Sequence, residues 1–113
     1  MKPKYGNKKV TVDGYQFDSK AEATRWTDLK LMERAGQISG LKRQVGYVLC
    51  PAVKLGAAQR VKPAIKLIVD FQYRDERNGQ IVLEDVKGVQ TAVFRLKAHL
   101  LKDRYGMEVR IIK

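Results

Sequence analysis

The sequence predicts one α/β domain of the α+β type, and three observations support this prediction. Two runs of β-branched and aromatic residues flank Asn78-Gly79, a strong hairpin signal because both residues tolerate positive φ. Apolar residues at helical spacing follow Ser19, and a second such segment opens at Gln90 or Thr91. With 113 residues, the chain is long enough for one hydrophobic core and too short for two.

The chain begins with a lysine-rich segment and a short hairpin. Met1–Lys9 carries four lysines among Pro, Gly and Asn, and we expect a flexible basic arm. This arm is either a strap that contacts phosphates or a solubilising tail. Val10–Phe17 is predicted to be a hairpin that turns at Asp13-Gly14. The first helix is expected to begin at Ser19 and to end before Gly36, the glycine just past its C-terminus.

The second part of the chain is predicted to contain four strands, a loop and a helix. In order, they are strand Leu41–Leu49, loop Cys50–Arg60, strand Lys62–Tyr73, strand Gln80–Gly88, a helix from Gln90 or Thr91 to about Arg104, and strand Met107–Ile112. Residues 10–113 then form a single domain behind the arm of residues 1–9.

The register of the central hairpin decides which of its polar side chains meet. If the turn has two residues, Asp70 lies opposite Lys87, and if the loop has four, Asp70 lies opposite Asp85. Because side chains alternate along a strand, both registers place Asp70, Asp85 and Lys87 on one face. Glu84 falls on the other face in either register.

Two neighbouring carboxylates in such a hairpin call for a cation. Burial and mutual repulsion make the pair unfavourable unless a metal ion or a basic side chain neutralises it. Directly opposed Cβ atoms lie about 5 Å apart, which lets Asp70 and Asp85 share a divalent cation. Lys87 is a second source of positive charge. The alternative is a solvated ladder of acidic and basic side chains, which the apolar residues of both strands disfavour.

Glu22 has two interpretations. Ser19 followed three residues later by Glu22 matches a capping box, in which the carboxylate bonds the backbone amide of the cap. Glu22 also follows the helical spacing of Trp26 and Leu29, so it borders the apolar face of the helix. A carboxylate in this first turn that looks toward the sheet could reach the acids of the hairpin. Trp26 is predicted to belong to the core.

Composition narrows the classes of partner and compartment. The formal net charge of +11 and a pI near 10.0 indicate a polyanionic partner, for which nucleic acid is the default, although a ribosomal-type or membrane-surface protein shows the same balance. A single cysteine, Cys50, excludes an internal disulfide and fits a reducing compartment. No apolar run approaches the ~20 residues that span a bilayer, and no signal peptide is visible. We therefore expect a cytoplasmic protein without a membrane partner.

The order of elements and the positions of the acids resemble the PD-(D/E)XK nuclease superfamily. The common core of that superfamily runs helix-strand-strand-strand-helix-strand and forms a mixed sheet flanked by helices. The motif falls on Asp70 as the first acid, on Asp85-Val86-Lys87 as the (D/E)-x-K element and on Glu22 as the helix acid. Val69 stands where the motif has Pro. The resemblance implies that residues 10–113 are a single nuclease-like domain behind the basic arm and the small hairpin.

A closer resemblance covers nearly the whole chain. Four segments look like small phage-encoded endonuclease-like domains akin to Holliday-junction resolvases: Tyr5-Gly6-Asn7-Lys8, Phe17-Asp18-Ser19-Lys20-Ala21-Glu22, Val69-Asp70-Phe71 and Glu84-Asp85-Val86-Lys87-Gly88. This resemblance implies an enzyme of the host cytoplasm that acts on branched DNA in phage recombination, replication or packaging. It also implies a homodimer, because a junction needs two cuts.

The resemblance implies a Mg²⁺-dependent endodeoxyribonuclease, with Mn²⁺ as a substitute metal. Asp70, Asp85 and Glu22 would hold the metal, and Lys87 would complete the catalytic set. The residues expected to contact DNA are Lys8, Lys9, Lys54, Arg60, Lys62, Gln90, Thr91 and Lys97. The alternatives are a catalytically silent nucleic-acid-binding module on the same fold and an RNA-binding structural protein.

Overall fold

The computed structural model describes residues 9–57 and 60–113. Most of the predicted basic arm, including Lys8, therefore lies outside the described residues. The described elements are β1 (Val10–Val12), β2 (Tyr15–Phe17), α1 (Lys20–Arg34), β3 (Ile38–Cys50), β4 (Val53–Leu55), β5 (Arg60–Lys62), β6 (Ile65–Asp75), β7 (Ile81–Val86), α2 (Ala92–Tyr105) and β8 (Val109–Ile112).

A mixed four-stranded sheet forms the centre of the molecule, in the order β3-β6-β7-β8. The pairs β3/β6 and β6/β7 are antiparallel, whereas β8 runs parallel to β7. A parallel neighbour requires a crossover connection, and α2 supplies it. The strands β1/β2 and β4/β5 form two separate small hairpins. The predicted α+β class with a mixed sheet is confirmed.

The central hairpin adopts the register with the four-residue loop. Phe71 pairs with Glu84 and Arg74 with Ile81, and the Asp75 amide donates to the Gln80 carbonyl at 2.9 Å. The Asp75 carboxylate accepts from the backbone amide of Arg77 at 3.0 Å and pairs with its guanidinium. These bonds stabilise the longer loop, so the two-residue alternative at Asn78-Gly79 is wrong.

Both helices begin and end at the predicted signals. The Ser19 side chain accepts from the Glu22 amide at 3.1 Å, and Gly36 follows α1 with a φ of 78°. Thr91 caps α2 in the same way, and Gly106 ends it with a φ of 71°. A left-handed conformation favours glycine because glycine has no Cβ, which explains why both helices stop where they do.

Strand boundaries differ from the sequence-based expectations: β6 ends at Asp75, two residues after the predicted Tyr73, and β7 and β8 are shorter than predicted. β3 is longer at both ends than the predicted Leu41–Leu49, and it stops directly before Pro51. The predicted loop Cys50–Arg60 contains β4 and leads into β5. All residues of these two short strands are exposed, so neither strand has a buried face. β6 begins at Ile65 rather than Lys62, after Pro63, which has no backbone N–H to donate.

Two hydrophobic cores pack against the sheet. Val82 packs with the cluster around Trp26 on the α1 side, whereas the next residue, Leu83, packs with Phe94 and Leu101 on the α2 side. Since side chains of a strand alternate, the two cores lie on opposite faces of β7. Trp26 is buried, as predicted, and donates its indole N–H to Asp13 at 3.0 Å. No helix in the described ranges is long and apolar enough to cross a membrane.

Candidate active site

Asp70 and Asp85 meet where β6 and β7 diverge. The ladder between these strands ends at the pair Phe71 and Glu84, and side chains replace the next backbone bonds. The Asp70 amide donates to Asp85 Oδ1 at 3.0 Å, and the Val86 amide donates to Asp70 Oδ2 at 2.8 Å. Each carboxylate thus bonds the backbone of the opposite strand. This reciprocal arrangement fixes both side chains at the open end of the hairpin.

Lys87 lies beside this pair. Its Nζ is 3.1 Å from Asp85 Oδ2 and 4.5 Å from the centroid of the Phe94 ring. Its backbone amide donates to the Ile112 carbonyl at 3.0 Å, which holds the end of β7 against β8. The ammonium group is therefore placed next to the acids and retains donors for another acceptor.

Gln44 connects Glu22 to Asp70. Its Nε2 donates to Glu22 Oε1 at 3.2 Å and to Asp70 Oδ1 at 3.5 Å. Gln44 has a φ of 54°, which is rare for a residue with a Cβ and typically costs about 1–3 kcal/mol. The five residues that meet here are called the acidic site: Glu22, Gln44, Asp70, Asp85 and Lys87. One of the two features predicted for Glu22 is confirmed, because its carboxylate looks toward the hairpin. Ser19 caps the helix by accepting from the Glu22 amide, but in the described ranges the Glu22 carboxylate forms no hydrogen bond with the Ser19 amide that would complete a capping box.

The acidic site carries more negative than positive charge. Burial, together with the charges of Asp85 and Glu22, raises the pKa of Asp70 to about 7, although the bond from the Val86 amide lowers it. Burial is also the main cause that raises the pKa of Glu22, followed by the charge of Asp18, while Arg43 opposes the shift. Lys87 forms an ion pair with Asp85, whereas neither Asp70 nor Glu22 forms an ion pair with any residue in the described ranges, so an added cation would relieve the repulsion among the three carboxylates.

Glu84 belongs to a different environment. It is fully buried, and its two carboxylate oxygens accept from Arg25 Nε and Nη2, both at 2.7 Å. The Tyr73 hydroxyl donates to the same carboxylate. These three residues are called the Glu84 cluster: Glu84, Arg25 and Tyr73. The bidentate pair neutralises Glu84 on the α1 side of β7, so Asp85 is the acid that faces Asp70.

The donor atoms of the acidic site fit a magnesium ion. Three of the four oxygens of Asp70 and Asp85 accept one hydrogen bond, and the fourth, Asp85 Oδ2, lies 3.1 Å from Lys87 Nζ; a carboxylate oxygen has room for a second partner. Mg²⁺ is commonly bound through one or two carboxylates and keeps several waters. Within residues 9–57 and 60–113, no three His, Cys, Asp or Glu side chains form a ready-made metal cluster. A magnesium ion at this site would be held by the two carboxylates and retained waters.

Comparison with known proteins gives a family. A family model described as "Protein of unknown function (DUF1064)" matches residues 2–112. The chain belongs to this family. Searches of curated proteins and of solved structures found no significant match.

The structure places the predicted DNA contacts of this DUF1064 chain in two regions. Thr91 and Lys97 line a pocket together with Lys87, and Gln90 immediately precedes Thr91. Three others lie exposed on the β4/β5 hairpin, and within the described ranges none of them bonds the acidic site: Lys54, Arg60 and Lys62. Lys9 is exposed just before β1.

Two residues that contact the acids, Gln44 and Arg25, were not predicted from the sequence. Gln44 is one of several polar residues in its strand, and nothing in the sequence pattern sets it apart. Its contact with Glu22 spans 22 positions. Arg25 lies on a helix with several charged residues, and its partner Glu84 is 59 positions away. The available signal for Arg25 was the parity of β7, which put Glu84 on the α1 side and so required a basic partner there.

Proposed function

We propose that this chain is a Mg²⁺-dependent DNA endonuclease. The observation that supports this best is the reciprocal bonding of Asp70 and Asp85, which aligns two carboxylates beside Lys87 at the open end of a hairpin. Structural ion pairs are usually balanced, whereas this site keeps an excess of carboxylates. Such an excess is typical of a site that binds a cation.

The proposed roles follow from the contacts of each residue. Asp70 and Asp85 would hold a metal ion through their free oxygen positions, and Gln44 keeps the side chains of Glu22 and Asp70 in place. Bound there, a magnesium ion would lower the pKa of a coordinated water and neutralise charge on the phosphate. The Lys87 ammonium donates to a non-bridging oxygen of the scissile phosphate, where negative charge develops during hydrolysis. The oxygen of a water bonds to phosphorus and gives up a proton to solvent, one P–O bond of the strand breaks, and the leaving oxygen takes up a proton.

The order of elements supports a PD-(D/E)XK-type core. With the β1/β2 and β4/β5 hairpins set aside, the chain runs α1, β3, β6, β7, α2, β8. Glu22 lies on the helix, Asp70 on the second strand, and Asp85 on the third strand, two residues before Lys87. These are the positions of the acids and the lysine in the superfamily that the sequence resembles.

The proposed substrate is DNA, contacted mainly through its backbone. A formal net charge of +11 supports a polyanionic ligand, and the exposed lysines and arginines of β4/β5 would contact phosphates without reading sequence. By the same resemblance we propose a branched substrate, a homodimeric enzyme, and a role in phage DNA recombination, replication or packaging within the host cytoplasm.

A cleavage assay tests this proposal. The protein is incubated with four-way junction, flap and duplex DNA of equal length, with Mg²⁺, with Mn²⁺ and with EDTA. We expect cleavage that requires a divalent ion and that Asp70→Asn abolishes while its circular dichroism spectrum is retained. Tight binding of all three DNAs without cleavage under any condition would instead support the silent binding module. Cleavage that persists in Asp70→Asn would contradict the assigned site.

A further inference from the structure

A pocket of about 290 Å³ opens next to the acidic site, between the free part of β6 and the start of α2. Six of the residues that line it are called the lysine pocket: Lys66, Ile68, Lys87, Thr91, Val93 and Lys97. Because Lys87 also contacts Asp85, the pocket and the acidic site are continuous. A ligand cleaved at the acidic site would therefore extend into this pocket.

The charge of the lysine pocket is of one sign. Lys66, Lys87 and Lys97 bring three ammonium groups to its lining, and no carboxylate lines it. Lys87 is partly neutralised by Asp85, whereas neither Lys66 nor Lys97 forms an ion pair with any residue in the described ranges. This arrangement is complementary to an anion with several charges, such as consecutive phosphates of one strand.

The edge of β6 adds backbone donors on the same side. β7 pairs with β6 only from Phe71 to Arg74, so residues 65–70 have no β7 partner. At the turn end of β6 the Asp75 amide bonds Gln80 on the β7 side and the next amide, that of Glu76, bonds Gln37 on the β3 side. Alternation therefore places the Leu67 and Val69 amides on the unpaired edge. Backbone amides bind phosphate oxygens without regard to sequence.

The rim of the pocket is apolar and exposed. The side chains of Ile68 and Val93 are 54% and 62% exposed, although they flank three lysines. Leu96, one helical turn beyond Val93, is 60% exposed, and Val89, just before α2, is 78% exposed. Phosphates and sugars of an intact duplex offer these side chains little apolar surface. The faces of unstacked bases offer much more, and aliphatic side chains are commonly inserted at unstacked steps.

We propose that the lysine pocket binds a DNA strand whose bases are unstacked beside the cleaved phosphate. The proposal rests on the proposed nuclease function and specifies its substrate class as DNA with locally unpaired nucleotides. The lysines and the β6 edge bind the phosphates, while Ile68 and Val93 contact the base faces. A second copy of the chain is a poorer occupant, because two such surfaces would bring six lysine ammonium groups together without a carboxylate in either pocket.

Binding measurements in EDTA test the proposal without cleavage. Three labelled DNAs of equal length are used: a continuous duplex, a duplex with a three-nucleotide bulge that contains 2-aminopurine, and a single strand. We expect the wild-type chain to bind the bulged DNA about tenfold more tightly than the duplex and to raise the 2-aminopurine fluorescence. Val93→Ser and Ile68→Ser should each reduce this preference about threefold, with an unchanged salt dependence.

Matched variants separate the two parts of the pocket. Lys66→Ala and Lys97→Ala should each lower the salt slope by about one counterion and weaken binding to all three DNAs. The controls are Leu31→Ser on α1, which removes a side chain that is also 57% exposed, and Lys20→Ala on the same helix. Both controls should bind like the wild type. All substituted side chains are at the surface, so circular dichroism should show folded protein throughout.

Three results would overturn the inference. They are equal affinity of the wild type for the bulged DNA and the duplex, an unchanged preference in Val93→Ser, and a Val93→Ser variant whose only change is a lower oligomeric state in sedimentation. The outcome is independent of cleavage. If the nuclease proposal fails, Mg²⁺ produces no products, yet the preference for unstacked DNA persists. If only this inference fails, Asp70-dependent cleavage persists and the preference is absent.

Discussion

Glu84 and Asp85 are neighbours in the chain, and their environments differ in almost every respect. Glu84 is fully buried against α1, and its charge is matched by a bidentate arginine at 2.7 Å and by a tyrosine hydroxyl. Asp85 is 3% exposed, but it faces Asp70 and has a single lysine contact at 3.1 Å. One acid is neutralised within the fold, whereas the other belongs to a group in which carboxylates outnumber basic side chains.

The difference separates a carboxylate that is paired within the fold from one that keeps room for a cation. A buried charge that is fully paired contributes to specificity of the fold and has no capacity for a further ligand. A group of carboxylates that repel one another keeps that capacity, at some cost in stability. Glu84 and Asp85 are adjacent, so either could be assigned to the acid of the motif. Their partners on the two faces of β7 distinguish them.

The largest effect on cleavage is expected when the charges of Asp85 and Glu84 are removed one at a time. Asp85→Asn should reduce single-turnover cleavage by about 10³-fold or more, because a metal-binding oxygen and the partner of Lys87 are lost together. Glu84→Gln should leave cleavage per folded molecule within about threefold and lower the free energy of unfolding by about 1–3 kcal/mol. Quenched-flow assays and urea unfolding measure the two quantities. Inactive Glu84→Gln with active Asp85→Asn would reverse the assignment.

A large effect on stability is expected on the other side of β7. Arg25→Leu leaves the Glu84 carboxylate buried without its cation and should lower the free energy of unfolding by about 3–5 kcal/mol. Adding Glu84→Leu should recover part of this loss, because an apolar pair of similar volume often replaces a buried ion pair well. Urea unfolding of both variants is the measurement. A double variant less stable than Arg25→Leu alone would show that the pair is not coupled in this way.

Much of the fold could be predicted from the sequence because turns and helix caps are signalled by residues close together in the chain. Asp13-Gly14 and the two helix caps each involve residues within a few positions, and all three lie where the sequence predicts them. The turn signal at Asn78-Gly79 narrowed the register of the central hairpin to two, with a loop of two or of four residues. The choice between them depended on Asp75, whose side chain bonds Arg77 and favours the four-residue loop, a preference that Asn78-Gly79 alone does not reveal.

The candidate site was partly readable for the same reason. Parity separates Glu84 from Asp70 and Asp85 in both predicted registers, with the two-residue turn and with the four-residue loop. Gln44 was not readable, because its position depends on a φ of 54° in the middle of a strand and on two partners from distant elements. The β4/β5 hairpin was not predicted. All six residues of its strands are exposed, so the alternation of apolar and polar residues in them does not mark a buried face.

Gln44 offers a sharper test of the acidic site, with an intermediate effect. Gln44→Ala removes the amide that connects Glu22 and Asp70, and we expect Mn²⁺ affinity to fall about tenfold, as for other residues that orient metal ligands. Gln44→Gly should lose the same affinity yet be about 1 kcal/mol more stable than Gln44→Ala, because glycine adopts the positive φ without strain.

Isothermal titration with Mn²⁺ and urea unfolding measure the two effects of the Gln44 variants. Gln16→Ala, an exposed glutamine on β2, is the control and should change neither. Unchanged metal affinity in both Gln44 variants would remove Gln44 from the site.

The smallest expected effect is a pH dependence that only the acidic site should produce. Asp70 has a pKa of about 7 in the folded chain, against an ordinary value near 4 in the unfolded chain, so between these values the folded state binds more protons. The metal-free protein should therefore lose stability as pH rises from about 4 to about 7, and Glu22, whose pKa is also raised, acts in the same direction. Because water reaches part of Asp70, we expect roughly 1 kcal/mol, or about 4 °C in Tm.

Thermal melts from pH 4 to pH 8, with EDTA and with Mg²⁺, measure this dependence. Asp70→Asn should remove most of it, whereas Glu84→Gln should keep its shape, since Glu84 is neutralised by Arg25 in the folded chain. Mg²⁺ binds the deprotonated carboxylates, so it should raise Tm more at pH 8 than at pH 5. A wild-type curve parallel to that of Asp70→Asn, with no response to Mg²⁺ at pH 8, would mean that the carboxylates repel one another too weakly to define a cation site.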